Sequence, residues 1–348
     1  PEPMTTPLRI AVIGLGRWGP NHVRNFSSLP DAVVVAGVDP DHDARERLRR
    51  SYPDVQCNAE LSEVLARDDV DAVVVATPTD THFDIVEQAL AAGKHVLCEK
   101  PISHRSDLAW RLVPRAEELG RELMVGHIFL FNPGIECLRR EAAAERLGRR
   151  YYVKAVRTNL GPFRSDVNAA WDLASHDLYI FNALLAARPL AVSAVGSSYL
   201  RHPIEDIVFI TLQYPEDVLG HSHVSWLDPS KVRQITVVGE KAMVTWDEFG
   251  TPGPVMVHDR SVVRESQYDS FGEFQLLARQ GNVVIPPVAS REPLAEQSRA
   301  FVRRCRGEDP PSEAASARQA AEVVDVLSAV SRSLAAQSRM VEVEYGGN

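Results

Sequence analysis

The first third of the chain alternates between short apolar runs and amphipathic segments. The apolar runs predict strands at 8–14, 33–39, 72–76, 95–99 and 122–126. The segments between them predict helices at 20–27, 44–52, 62–67, 83–92 and 107–120. Continuous Val, Ile and Ala strands separated by amphipathic helices are typical of a parallel sheet that is covered on both faces. Residues 1–127 are therefore expected to form one α/β domain.

The second half has a different pattern. Helices are predicted at 134–146 and 172–186, with a strand at 151–159 between them. Short alternating runs then follow without intervening helices, at 191–200, 207–214, 218–225, 232–239 and 242–246. Such a succession predicts a largely antiparallel sheet. With two closing helices at 293–306 and 315–336 and a last strand at 340–345, residues 128–348 are expected to form an α+β domain.

Composition narrows the class of protein. The chain has 348 residues and a formal net charge of −9, and its arginine-dense segments are interrupted at helical spacing, which argues against nucleic-acid binding. No apolar run approaches the ~18 residues that span a bilayer. The four cysteines are far apart, which argues for a reducing compartment and against disulfides or a zinc site: Cys57, Cys98, Cys137 and Cys305. A cytoplasmic protein without nucleic-acid, membrane or metal partners is expected.

A glycine motif lies between the first predicted strand and helix, in the run Gly14-Leu15-Gly16-Arg17-Trp18-Gly19, and Asp39 ends the next strand. Gly14 permits a tight turn, Gly16 lets the backbone approach a pyrophosphate, and Gly19 lets the helix pack against the strand. The helix N-terminus favours the anion. Asp39 is expected to bind the adenosine ribose hydroxyls and repel a 2′-phosphate, so NAD is predicted over NADP. Arg17 and Trp18 complete the predicted cofactor contacts, and Trp18 either covers the cofactor or packs against the protein.

Three further runs, together with the glycine motif, resemble the Gfo/Idh/MocA oxidoreductases. They are Ala76-Thr77-Pro78-Thr79-Asp80-Thr81-His82, Glu99-Lys100-Pro101 and Trp171-Asp172-Leu173-Ala174-Ser175-His176-Asp177. The resemblance covers essentially the whole chain. It implies a Rossmann domain at 1–127, a substrate-binding and oligomerisation domain at 128–348, and an NAD-dependent dehydrogenase acting on CH–OH groups. It also implies a homodimer or homotetramer assembled through the second domain's sheet.

The resemblance assigns the catalytic roles to Lys100 and His176, which flank the nicotinamide in that family, with Asp172 as an orienting carboxylate. The residues themselves agree, because Lys100 follows the fourth strand, where ligands of open α/β sheets bind. Asp172 and His176 are four apart on one predicted helix and are expected to share a face. An imidazole suits the role of base, and an ammonium can stabilise a developing alkoxide. Asp172 could alternatively serve only the helix dipole. The chain departs from the family pattern at Ala174, a glycine there, and at Tyr179, often an aspartate.

The family match also places Thr77, Pro78 and His82 in a loop over the nicotinamide ribose, and Glu99 joins Lys100 in the cofactor site. Alternatively, His82 could make a capping contact at the N-terminus of the following helix.

The stretch 157–168 leads into the catalytic helix, and with Trp226-Leu227-Asp228-Pro229 it is similar to members that act on nucleotide-activated sugars, including UDP-N-acetylglucosamine 3-dehydrogenases. Guanidinium groups bind phosphate bidentately, which suits a diphosphate. The predicted substrate contacts are Arg157, Asn159, Arg164, Asn168 and Trp171. The predicted reaction is hydride transfer between a secondary alcohol of such a sugar, at C3 in those members, and NAD. The alternative interpretation is that this stretch is a solvent-exposed loop with no role in substrate binding.

Three alternatives stay open. A sugar ketoreductase of the same family is disfavoured by Asp39, because reductive enzymes usually use NADPH. A dehydrogenase of free inositol or another polyol does not need the arginines at 157 and 164. An NAD-sensing regulator, like the galactose-pathway repressor of yeasts, does not need the proton relay of Lys100 and His176.

Overall fold

The computed structural model describes residues 6–259, 261–263, 277–279, 281–308 and 314–347. The chain divides into two compact units. The first contains the described parts of Pro1–Phe131, Arg291–Asp325 and Tyr345–Asn348, and the second those of Asn132–Ser290 and Val326–Glu344. Among the described residues, no helix is both long enough and apolar enough to cross a membrane.

The first unit contains a six-stranded parallel sheet flanked by helices. Its strands are β1 (Leu8–Ile13), β2 (Ala32–Val38), β3 (Gln56–Asn58), β4 (Ala72–Val75), β5 (His95–Cys98) and β6 (Leu123–Val125). Its helices include α1 (Gly19–Ser27), α2 (His42–Ser51), α3 (Leu61–Leu65), α4 (His82–Ala91) and α5 (Ser106–Glu118). The sheet order is β3-β2-β1-β4-β5-β6, with every neighbouring pair parallel. This confirms the predicted parallel sheet. The sequence missed only the three-residue edge strand β3, which has no fully buried side chain.

The second unit is built on a nine-stranded mixed sheet. Its strands are β7 (Arg150–Leu160), β8 (Ala191–Ser197), β9 (Ile207–Gln213), β10 (Leu219–Ser225), β11 (Leu227–Gly239), β12 (Met243–Asp247), β13 (Val255–His258), β16 (Val283–Val284) and β17 (Val341–Glu342). A separate antiparallel pair is formed by β14 (Ser261–Val263) and β15 (Leu277–Arg279). All neighbours in the large sheet are antiparallel except β7 and β10. The largely antiparallel sheet is thus confirmed.

Helices lie against one face of this sheet. They include α6 (Pro133–Glu141), α7 (Ala144–Leu147) and α8 (Ser175–Leu185), and a π-helical turn at Ala170–Ala174 leads directly into α8. Alternate strand positions, such as Ala155 and Ile210, are buried on the helix side. The opposite positions are open, with Val195 and Phe209 exposed by 53% and 39%. The period of two thus gives the sheet an apolar face that the described residues do not cover.

The last two helices are α9 (Pro293–Cys305) and α10 (Ala317–Ala335). The sequence predicts one domain over 128–348, but α9 and the first half of α10 belong to the first unit. Phe301 of α9 is fully buried in that unit's core, edge-on to Phe26 of α1 with ring centroids 6.2 Å apart. The difference arises because an amphipathic pattern reveals that a helix has an apolar face but not which sheet that face covers.

A buried ion pair holds α8 against the sheet of the second unit. Arg157, on β7, donates from Nε to Asp177 Oδ1 at 2.9 Å, and the Ser222 hydroxyl donates to Asp177 Oδ2 at 2.8 Å. Arg157 is only 2% exposed and Asp177 is fully buried. Burial raises the pKa of Asp177, against the lowering effects of Arg157 and Ser222. The pair therefore forms part of the core.

Replacing Arg157 with Met removes the cation and leaves the buried Asp177 without its ion-pair partner. We expect a loss of about 3–5 kcal/mol in the free energy of unfolding, measured by urea denaturation. The loss should grow as pH rises, because the folded state then keeps a proton on Asp177 that the unfolded chain releases above its ordinary pKa. The matched control adds Asp177→Leu and should recover most of the stability, since both charges are then gone. A single variant as stable as the parent would show that the pair contributes nothing.

Candidate active site

The glycine turn after β1 is sterically crowded at two positions. Gly14 has a φ of +90°, and a Cβ there would lie 2.7 Å from the backbone carbonyl of Ala76. A Cβ on Gly19 would overlap the carbonyl oxygen of Gly14. Gly14 also donates its N–H to the carbonyl of Val38 at 2.7 Å. Only glycine fits both positions, and the turn consequently brings the start of α1 against the end of β1.

Gly16, between them, is different. A Cβ on Gly16 would meet no atom of the protein within 4 Å, and its φ lies outside the left-handed region. The packing of the described residues therefore does not require a glycine there, whereas a ligand lying against the backbone does. The helix start is equally open: no described side chain forms a capping hydrogen bond at Trp18, and the first turn of α1 has no acidic residue. Pro20 has no N–H, and Asn21 already donates to the Trp18 carbonyl at 3.0 Å, so an anion at this helix start would bind the N–H of Gly19.

Asp39, directly after β2, is fixed beside this turn. Its Oδ2 accepts the N–H of Leu15 at 2.7 Å, and its Oδ1 accepts the N–H of Asp41 at 2.9 Å. Because a carboxylate oxygen can accept two hydrogen bonds, each oxygen keeps capacity for a ribose hydroxyl. The open space at Gly16, the uncapped helix and this carboxylate together fit a dinucleotide with an unphosphorylated ribose.

The turn after β5 carries Lys100 next to a buried carboxylate. Glu99 accepts a hydrogen bond from His22 of α1, with Oε1 and Nε2 2.8 Å apart, and His22 is fully buried. Burial raises the pKa of Glu99, but the hydrogen bond from His22 and the charges of His22 and Lys100 outweigh it, so this pKa is lowered. Glu99 is therefore an anion at neutral pH, and it places a negative charge beside the Lys100 ammonium.

His82 links this turn to the one after β4. Its Nδ1 lies 2.8 Å from the carbonyl oxygen of Pro101, and its Nε2 lies 2.9 Å from that of Thr77. The ring is 1% exposed, and burial lowers its pKa. Both ring nitrogens face backbone carbonyls, so His82 supports the two turns and presents neither nitrogen to a cofactor. No side chain forms a capping hydrogen bond at the start of α4, so these contacts are not the cap contact that was the second interpretation of His82.

Two buried histidines near Lys100 were missed by the sequence analysis, His22 and His127. His127 lies two residues after the end of β6 and is 2% exposed, with Nδ1 3.4 Å from Gln319 Oε1. Burial lowers its pKa to about 4, with Gln319 opposing and the charge of Lys100 adding to the decrease. Both could have been predicted from the sequence. His127 lies at the carboxyl end of a parallel strand, as Lys100 does. His22 lies three residues beyond the glycine motif, on the buried side of α1.

In the second unit, Asp172 lies in the π-helical turn. Arg164 donates from Nη1 to its Oδ1 at 3.3 Å, and Trp226 donates from Nε1 to its Oδ2 at 3.2 Å. The expectation that Asp172 and His176 share a face assumed a regular α-helix through both. That assumption is wrong, because a π-turn contains an extra residue and changes the direction of Asp172 relative to α8. Such turns are frequent at functional sites.

His176 lies in the first turn of α8 and is half-buried. Its Nδ1 is 2.8 Å from the hydroxyl of Tyr179, which is fully buried. The second departure from the family pattern thus supplies the group that contacts the predicted base.

The arginines predicted to hold a diphosphate are engaged elsewhere. Arg157 is in the buried ion pair with Asp177, so its assignment as a substrate contact is corrected: period-two alternation on β7 turns it into the core. Arg164 is bidentate to Asp166, at 2.9 Å and 2.5 Å, in addition to Asp172.

The other three predicted substrate contacts also bond within the second unit. Asn168 accepts the N–H of Trp171 at 3.1 Å and donates to Glu205 at 2.8 Å, which makes it a cap for the π-turn. Trp171 donates from Nε1 to Ser331 at 3.0 Å, and Asn159 donates to the carbonyl of Gly161. These contacts account for the local fold of the segment before α8.

Comparison with known proteins supports this organisation. Residues 8–127 match an oxidoreductase family with an NAD-binding Rossmann fold, GFO_IDH_MocA, and residues 138–245 match the C-terminal domain of the same family. The crystal structure of GenD2 from gentamicin A biosynthesis, in complex with NAD, has a TM-score of 0.82 and is 27% identical, covering 98% of this chain and 97% of that one.

Two curated relatives are similar over part of the chain. A UDP-N-acetylglucosamine 3-dehydrogenase of Acidithiobacillus ferrooxidans is 34% identical over 192 residues, which are 54% of this chain and 58% of the relative. A scyllo-inositol 2-dehydrogenase (NAD(+)) of Bacillus subtilis is 30% identical over 195 residues, 54% of this chain and 57% of the relative. The matches thus span somewhat over half the length of each relative. From its two matching domains, the chain belongs to the Gfo/Idh/MocA family of NAD-binding oxidoreductases.

Proposed function

We propose that the chain is an NAD-dependent dehydrogenase that transfers a hydride between a secondary alcohol of a sugar or cyclitol and NAD. The observation that carries the proposal is the open space at Gly16. It lies between Gly14 and Gly19, where neighbouring backbone atoms leave no room for a side chain. Asp39, already oriented by backbone N–H groups, supports NAD over NADP, because its charge opposes a 2′-phosphate.

Oxidation of an alcohol removes a hydride from carbon and a proton from oxygen. When bound, NAD supplies the hydride acceptor. The proposal assigns the proton to Nε2 of His176, since Nδ1 is engaged by Tyr179. It assigns to the Lys100 ammonium, beside the anionic Glu99, the stabilisation of negative charge on the substrate oxygen. Asp172, held through both oxygens, orients the substrate hydroxyls.

Two substrate classes have separate support. The relative that acts on UDP-N-acetylglucosamine supports a nucleotide-linked sugar oxidised at C3. The ion pairs of Arg157 and Arg164 with carboxylates support an uncharged sugar or inositol, because Arg157 is buried against Asp177 and the charge of Arg164 is already balanced by Asp166 and Asp172. A screen for NADH formation across both classes identifies the substrate.

We also propose that the chain forms homodimers or homotetramers through the uncovered face of the nine-stranded sheet. Val195, Phe209, Tyr152 and Leu219 are 39–53% exposed on that face. In register, Val195 lies opposite Phe209, whose ring stacks on His223 at 4.5 Å, and Leu219 lies opposite Tyr152. Two apolar pairs are thus exposed on this face, on either side of a row that contains Thr211 and His221. Sedimentation equilibrium of the full chain tests this, and a monomer at micromolar concentration contradicts it.

Replacing Lys100 with Met or His176 with Asn should each lower turnover by about 100-fold or more, the usual effect of losing a positioned acid–base group. NAD affinity, measured by calorimetry, should remain near the parent value, because neither side chain contributes to the glycine turn. The matched controls are Lys241→Met and His202→Asn at exposed positions. Near-parental turnover in either Lys100→Met or His176→Asn would mean that its proposed role is wrong.

Replacing Arg164 with Ala tests whether this arginine acts through Asp172 or binds a diphosphate. Because Arg164 holds Asp172, we expect kcat/KM to fall about tenfold or more, by similar factors, for a nucleotide sugar and for a free sugar or inositol. Arg149→Ala, which removes an exposed arginine of the same unit, is the control. A loss confined to the nucleotide sugar would instead assign Arg164 to the diphosphate.

A further inference from the structure

His176 and Tyr179 form a contact within α8 that the proposed reaction does not by itself explain. The His176 Nδ1 and the Tyr179 hydroxyl are 2.8 Å apart, and the rings meet edge to face, with centroids 5.7 Å apart and planes at 81°. Tyr179 has no exposed surface, whereas His176 is half-buried. The phenol therefore lies on the inner side of the imidazole, and the ring is fixed in both position and plane.

We propose that Tyr179 is a positioning residue that keeps the proton of neutral His176 on Nδ1 and so leaves Nε2 as the base; this rests on the proposed function. A hydrogen bond between these groups runs in one of two directions. If the phenol donates, the imidazole proton is on Nε2, and that nitrogen cannot accept a proton from a substrate. If Nδ1–H donates to the phenol oxygen, Nε2 is unprotonated and can accept a proton. Only the second arrangement allows the base chemistry.

The chemistry of the partner also matters. A carboxylate next to an imidazole favours its charged form, and so raises its pKa. A phenol, which is uncharged at neutral pH, orients the ring without adding a negative charge. Tyr179 thereby separates two effects that a carboxylate combines, the choice of tautomer and the stabilisation of the imidazolium.

The second unit provides a matched control for removal of a buried hydroxyl. Tyr214, which is 3% exposed, donates to Asn182 Oδ1 at 2.9 Å, and Asn182 also lies on α8. Tyr179→Phe and Tyr214→Phe each remove one buried hydroxyl that contacts a polar side chain of the same helix. Their effects on stability should be similar, so a difference in function reports on His176.

The experiment combines nitrogen NMR of His176 with steady-state kinetics on the full chain. In the parent, the neutral ring should show the proton on Nδ1, and Tyr179→Phe should shift the population towards Nε2–H. The kcat of Tyr179→Phe should fall about tenfold or more, with the KM for NAD unchanged, because orientation of the base is lost. Tyr214→Phe should match the parent in both measurements.

The two readouts separate this inference from the proposed function. A His176 tautomer that is the same in the parent and in Tyr179→Phe overturns the inference, whatever the turnover. Equal losses of turnover in both phenylalanine variants also overturn it, because they point to a general loss of packing. A changed tautomer with parental turnover supports the positioning contact and contradicts the role of His176 as base, and therefore the proposed mechanism.

Discussion

The steric crowding of the glycine turn is the constraint on which the first unit's site depends. A side chain on Gly14 would clash with the Ala76 backbone and would disfavour its positive φ. A side chain on Gly19 would clash with the carbonyl oxygen of Gly14. This close approach fixes where α1 begins. It therefore also fixes the N–H of Gly19 at the start of that helix and the position of His22 one turn later. The N–H of Leu15, inside the same turn, orients Asp39.

From α1 the constraint extends to the turn that carries Lys100. His22 contacts Glu99, and His82 joins the carbonyls of Pro101 and Thr77. Because these histidine side chains are buried, a polar atom there that lacked a hydrogen-bond partner would destabilise the fold more than it would in water. The lysine turn is thus held on both sides by side chains whose own positions are set by the sheet and by α1. The second unit follows the same principle with charges, since Asp172 and Asp177 each have an arginine partner.

The sequence predicted well the features that depend on local pattern. Continuous apolar strands, the glycine motif and the carboxylate at the end of β2 were all located, because their spacing follows from the geometry of a βαβ unit. Contacts between residues that are far apart in the sequence, and local departures from regular helix geometry, could not be predicted. Nothing in the amphipathic pattern of α9 indicates that Phe301 packs beside Phe26, and nothing in the run before His176 indicates a π-turn.

The wrong prediction that Arg157 contacts the substrate has a different cause. Its position on β7, two and four residues from the buried Ala155 and Val153, already predicts an inward side chain by strand periodicity. The arginine was interpreted by its chemistry rather than by its position. The correction changes the substrate argument, because a guanidinium that neutralises a buried carboxylate is not available to a phosphate.

The central claim is that the empty space at Gly16 is occupied by a dinucleotide. The most direct measurement is the affinity of Gly16→Val for NAD and NADP, by calorimetry, alongside urea unfolding of the same variant. Because a Cβ there would meet no protein atom within 4 Å, we expect stability to stay near the parent value, while NAD affinity should fall about tenfold or more as the side chain fills the space needed by the pyrophosphate. The parent should bind NAD more tightly than NADP. Unchanged NAD affinity in a stable Gly16→Val variant would contradict the account.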